Sequence, residues 1–154
     1  MLRYSGMPTV VAAAYRAGLP DANGQAPERH MSAEGGEPCR HCLGRIAAGE
    51  EFLILGYRPF PAPQPYAETG PVFIHAEACA APDGSFPERE RRGDGRILRG
   101  YGSNDRIVYG TGTVVANAEI EAVAERLLER DDVAYLHMRS ASNNCFALRI
   151  DRAT

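Results

Sequence analysis

Apolar positions along the chain form short groups with two different spacings. Val10 to Tyr15 is apolar and Ala-rich, Pro8 stands just before it, and Gly18 and Pro20 follow. Proline suits a first helical turn and glycine a helix end, so residues 8–18 predict a helix. From Asp21 to Pro38 the chain is rich in Gly, Glu, Asn and Pro without periodicity, which predicts a loop. Phe52 to Tyr57 is a continuous apolar run and reads as a buried strand. Pro59, Pro61, Pro63 and Pro65 then alternate with other residues; proline lacks the ladder donor, so this is an extended surface loop. Val72 to Ile74 predicts a second short strand. The stretch Ala81 to Gly95, with its Glu88-Arg89-Glu90-Arg91-Arg92 run, predicts a solvated loop.

The last third is more regularly patterned. Ile97–Tyr101 and Arg106–Thr113 flank Gly-Ser-Asn-Asp and predict a hairpin. Asn117 is placed to cap a helix running to residue 130, with Ile120, Val123, Leu127 and Leu128 on one face. Val133–Arg139 and Cys145–Ile150 bracket Ser-Ala-Ser-Asn-Asn as a second hairpin. Two hairpins around a helix, with the earlier strands, predict an α+β fold: one compact domain over residues 1–154, mainly antiparallel sheet with two helices.

Composition narrows the possibilities. The chain has 154 residues, 44% hydrophobic and 24% charged, an ordinary globular balance. No apolar run approaches a membrane span and no signal-peptide pattern opens the chain, so a cytoplasmic protein is expected. A net charge of −3 argues against a broad nucleic-acid surface. All 17 basic residues are Arg, which removes Schiff-base lysine chemistry and the P-loop lysine. With 23 Ala, that bias reflects a GC-rich coding sequence as readily as anion binding.

The cysteines change the picture. Cys39-Arg-His-Cys42 is a C-x2-C pair, and His75-Ala-Glu-Ala-Cys79 sets His and Cys four residues apart. Thiolates and imidazole at these spacings suit tetrahedral Zn²⁺, in a treble-clef-like knuckle where His75 ends a strand and Cys79 lies one helical turn beyond. A closed Cys₃His shell would be structural, since catalytic zinc keeps an open position. Redox thiols, a disulfide and inert buried thiols are the competing readings. His41 inside the pair is not expected as a ligand, and His30 reads as a solvated loop residue.

Pro38-Cys39-Arg40-His41-Cys42-Leu43, Gly49-Glu50, Tyr57-Arg58-Pro59-Phe60, Pro65-Tyr66 and Gly70-Pro71-Val72-Phe73-Ile74 follow in order, with Leu98-Arg99-Gly100-Tyr101 and Asn144-Cys145-Phe146 near the end. In these anchors the chain resembles the bacterial domain-of-unknown-function family 1203 over residues 36–152, leaving residues 1–35 as a weaker helix and loop. The resemblance implies a compact cytoplasmic α+β domain with no activity attached. Many members carry Ser at the Cys42 position and lack the His75 and Cys79 equivalents. By the resemblance, zinc is therefore a feature of a subgroup and not a requirement of the fold.

Strand alternation sorts the last hairpin. Ala134, Leu136 and Met138 point toward the helix, while Tyr135, His137 and Arg139 point away. A five-residue loop sets Arg139 opposite Cys145, His137 opposite Ala147 and Tyr135 opposite Arg149. Arg99 and Tyr101 share one face of their own strand. Such a face binds a small anionic molecule through Arg99, Tyr135, Arg139 and Arg149, with Arg58 and Arg40 weaker members, or is simply solvated, or is a polar layer tying the Cys39 region to the sheet. Three functions remain open. They are a zinc-stabilised anion-binding domain, an enzyme of specialised metabolism using His137, Cys145 or Tyr101, and a non-catalytic protein-interaction module.

Overall fold

A computed structural model describes residues 1–154. The elements run β1 (Leu2–Ser5), α1 (Thr9–Arg16), β2 (Glu28–Met31), β3 (Glu51–Tyr57), β4 (Gly70–His75), β5 (Arg96–Tyr101), β6 (Thr113–Val115), α2 (Ile120–Leu128), β7 (Tyr135–Ser140) and β8 (Phe146–Arg152), with single 3₁₀ turns at Glu88–Arg91 and Asn117–Glu119. No helix is long and apolar enough to cross a membrane. The residues cluster into two compact units: Met1–Tyr4, Ala62–Ala67 and Asp83–Thr154 in one, Ser5–Pro61 and Glu68–Pro82 in the other.

The larger C-terminal unit is built on a five-stranded sheet of order β1-β8-β7-β5-β6. β7 is central, antiparallel to both β5 and β8. α2 buries Ile120, Val123, Ala124 and Leu128, spaced to fall on one face of the helix, and packs against β5, β7 and β8. Leu98, Leu136, Met138, Leu148 and Ile150 form the buried layer of this sheet. The other unit carries a three-stranded antiparallel sheet in which β3 lies between β2 and β4. β3 buries Phe52, Leu53, Leu55 and Tyr57, as its apolar run requires.

Several expectations need correction. Glu28–Met31, inside the expected loop, pairs with β3 as an exposed edge strand; its polar residues hide a pairing held by backbone hydrogen bonds, the Arg29–Glu51 ion pair and the His30–Phe52 ring contact. His30 sits on this strand, within 2.8 Å of Glu28. The partner of β5 is Thr113–Val115, further along than the expected hairpin return, because residues 102–112 form a folded loop touching β5 at Tyr101–Ile107. Asn117 does not cap α2. Its carboxamide instead accepts from Gly95 N–H and donates to the carbonyls of Glu90 and Arg92, pinning that loop. The charge run is only partly solvated: Glu90 is 1% exposed, its carboxylate held by Arg89 at 3.0 Å and Arg96 at 2.7 Å. A buried carboxylate is tolerable with two guanidinium partners in place.

Candidate metal centre

The C-x2-C pair sits at the tip of a small hairpin. Pro38 bridges Arg45, Cys39 N–H donates to Gly44 O and Leu43 N–H to Cys39 O. The turn closes because Leu43 adopts a positive φ of 62°, uncommon for a branched apolar residue, and Gly44 N–H then points at Cys42 Sγ at 3.4 Å. Across from it, β4 ends at His75. No helix follows. Residues 76 and 77 make a bend and Cys79 arrives on an irregular stretch, where the sequence reading put a helical turn. The bend returns the chain far enough that Cys79 Sγ lies 3.9 Å from Cys39 Sγ.

Cys39, Cys42, His75 and Cys79 thus converge, each offering one ligand atom, all within 4.8 Å of one another. Cys42 Sγ is 3.6 Å from His75 Nδ1. A tetrahedral ion bound at about 2.3 Å to sulfur and about 2.0–2.1 Å to imidazole nitrogen sets sulfurs about 3.8 Å apart, and sulfur and nitrogen about 3.6 Å apart. The Cys39–Cys79 and Cys42–His75 separations match that cage, with Nδ1 as the donor. His75 Nε2 faces a Glu50 carboxylate oxygen at 3.8 Å, and that oxygen accepts from Ala47 N–H at 2.8 Å.

The electrostatics follow from crowding. The Cys39 thiol is pushed down to about 3, first because the Cys42 thiol donates to its sulfur, with backbone N–H groups adding to the effect. Cys42 moves up for the reciprocal reason, and burial raises Cys79. All four cysteines are free.

Two residues outside the expected ligand set also converge here. His41 is fully buried, with Nδ1 3.0 Å from Cys79 Sγ. Arg16, from α1, donates through Nη2 to Cys79 Sγ at 3.1 Å and through Nε to His75 O at 2.9 Å. A histidine enclosed between two spaced cysteines was a visible signal for the first. Nothing local signals the second.

The residues expected on the polar face lie elsewhere, in the unit built on the five-stranded sheet, apart from Arg58 and Arg40. Arg58 follows the end of β3 and donates to Phe60 O at 3.3 Å, and Arg40 belongs to the knuckle. The hairpin register differs from the expected one. A bulge between Met138 and Arg139 sets Arg139 opposite Phe146 and His137 opposite Arg149, while Ser140 N–H donates to Cys145 O. Arg99 flanks His137 on its other side, and Tyr101 stacks on Tyr135 at 5.4 Å. The face is not the solvated surface such sheets often show: Tyr101, Tyr135, His137 and Arg139 are all buried. Arg99 and Arg149 are half-buried, the Arg149 guanidinium lying 3.8 Å over the Tyr135 ring. Burial, then Arg139, Arg149 and Arg99, hold His137 well below the usual imidazole range. Burial and the hydrogen bond donated to Asp105 raise the Tyr135 phenol. Cys145 sits in the hairpin loop with its thiol toward Asn143 O.

Fold and cluster together define an α+β protein with a Cys₃His group arranged as a metal site. Its core region, residues 36–152, matches the family model described as protein of unknown function, DUF1203, and the chain belongs to that family. No curated protein and no solved structure matches the chain.

Proposed function

We propose that this is a zinc-stabilised α+β domain of a reducing, cytoplasmic compartment that binds a small anionic molecule. The observation that carries the metal reading is the Cys39–Cys42–His75–Cys79 cage, whose sulfur–sulfur and sulfur–nitrogen separations suit tetrahedral zinc. Three sulfurs and one nitrogen leave no position for substrate, so the ion's role is to hold the knuckle, β4 and the following bend together. Elemental analysis of protein purified without chelator should give one zinc per chain, and X-ray absorption three sulfurs near ~2.3 Å with one nitrogen near ~2.0 Å. Metal-free protein, or a shell without sulfur, overturns the reading.

For the anion, the supporting observation is the cross-strand row Arg99–His137–Arg149, with Arg139 adjacent and a neutral imidazole at its centre. Guanidinium groups in a partly dry setting are the side chains that bind carboxylate and phosphate oxygens in pairs. Sulfate or phosphate should raise the melting temperature of the wild type relative to chloride at equal ionic strength, and leave Arg149→Ala unmoved. The same response in both proteins removes the row from anion binding.

A further inference from the structure

The three sulfurs of the cluster differ in how their remaining lone pairs are satisfied. Cys39 Sγ accepts from the backbone N–H of His75 at 3.3 Å, and Cys42 Sγ from that of Gly44. Both donors are fixed by the knuckle and by β4. Cys79 arrives on a bend with exposed neighbours, and its sulfur meets two side chains instead, Arg16 Nη2 and His41 Nδ1. The Thr9 hydroxyl lies 2.9 Å from His41 Nε2. When Thr9 donates to Nε2, the ring proton stays on Nδ1 and is aimed at the sulfur.

Thr9 and Arg16 are seven residues apart, two turns on one face of α1. That helix has eight residues and only Ala12 fully buried. A helix this short does not hold its shape in water unaided. Its longest-range polar bonds run to His41, His75 and Cys79, which are two ligands of the cluster and the histidine touching one of them. Charge points the same way. Three thiolates and a neutral imidazole around a divalent cation leave one net negative charge, which the Arg16 guanidinium offsets.

We propose that α1 is a clamp on the metal centre: Arg16 directly, and Thr9 through His41, bind the Cys79 sulfur, shielding it from electrophiles and slowing loss of the ion. This rests on the metal reading above and assigns a role to a segment outside the family-matched region 36–152. N–H donors drain charge from a metal-bound sulfur and lower its nucleophilicity, and they cost the helix its docking contacts when the sulfur leaves.

The test uses full-length, zinc-loaded wild type, Arg16→Ala and Arg16→Lys, each challenged with N-ethylmaleimide while a chromogenic chelator reports released zinc. Arg16→Ala should bind one zinc, release it at least tenfold faster and, leaving aside Cys145, which is free and outside the cluster, take its first adduct at Cys79, with Arg16→Lys between it and wild type. In the cobalt-substituted proteins the sulfur-to-metal charge-transfer band should shift to lower energy in Arg16→Ala. If Arg16→Ala does not retain metal through purification, Thr9→Val, which cuts only the link to His41, should show the same order of adducts. Equal release rates in wild type and Arg16→Ala, or a first cluster adduct at Cys39 or Cys42, overturn the clamp while leaving the metal site intact. A wild type that takes up neither zinc nor cobalt overturns both.

Discussion

His137 has the ring environment of a core residue and the charge environment of a cationic site. Tyr101 and Tyr135 lie 4.8 and 5.2 Å from its ring, Phe146 at 5.0 Å, and three arginines surround it. Burial and those charges both favour the neutral imidazole. In the unfolded chain the group returns to its ordinary value near 6.5, so as pH falls the unfolded state takes up the proton first. The stability this residue contributes is therefore whole above about pH 6.5 and is lost below it, at up to about 1.4 kcal/mol per pH unit. Urea denaturation of wild type and His137→Gln between pH 7.5 and 5 should show the steeper acid loss in wild type. Equal slopes would mean that the imidazole is protonated in the fold. Glu90 makes the complementary case, a carboxylate kept inside by Arg89 and Arg96 in a run whose composition suggested solvent.

At the scale of elements, the knuckle depends on a close approach that only glycine permits. Gly6, just before α1, passes so near the hairpin tip that a Cβ there would lie 2.3 Å from Arg40 O and 2.7 Å from His41 O. Both are backbone atoms, and Met7 N–H also donates to Arg40 O at 2.7 Å, so nothing soft can yield. Gly6→Ala should cost about 1–3 kcal/mol, the range of overpacked sites, and weaken metal retention. Gly70→Ala is the control: a Cβ at Gly70, at the start of β4, would meet nothing within 4 Å, and the change should stay within about 0.5 kcal/mol. Chemical denaturation with and without zinc measures both. If Gly6→Ala is as benign as Gly70→Ala, the approach of this segment to the knuckle is looser than the geometry says.

For the whole molecule, the division into two units explains why one of them would carry a metal. The unit that contains the cluster has roughly 70 residues, a size at which a hydrophobic core alone rarely supplies more than about 3–5 kcal/mol. Its sheet has three strands, one of them fully exposed, and its first helix buries a single residue. A staple joining Cys39 and Cys42 to His75 and Cys79 closes a loop of more than thirty residues, where cross-linking constrains the unfolded chain most. The other unit has a five-stranded sheet covered by an amphipathic helix and has no comparable need.

Elements with local signals can be read from the chain without its fold. The apolar run of β3, the helical spacing of α2, the β7–β8 hairpin and the helix at α1 are written in nearest-neighbour patterning, which burial then rewards. The four candidate ligands were legible for a related reason: cysteine and histidine at two- and four-residue spacings have few other uses together. The remaining features depend on contacts between distant segments. β2 has no apolar alternation because it is an exposed edge, held by backbone bonds and by polar and ring contacts to β3. The bulge after Met138 shifted the hairpin register and brought Arg149, not Ala147, across from His137. Glu90 went inside because Arg96, Arg89 and Asn117 were brought to it by the fold. Arg16 and Thr9 reach the cluster from positions 63 and 32 residues away from the atoms they bind, and no local pattern encodes a hydrogen bond over that distance.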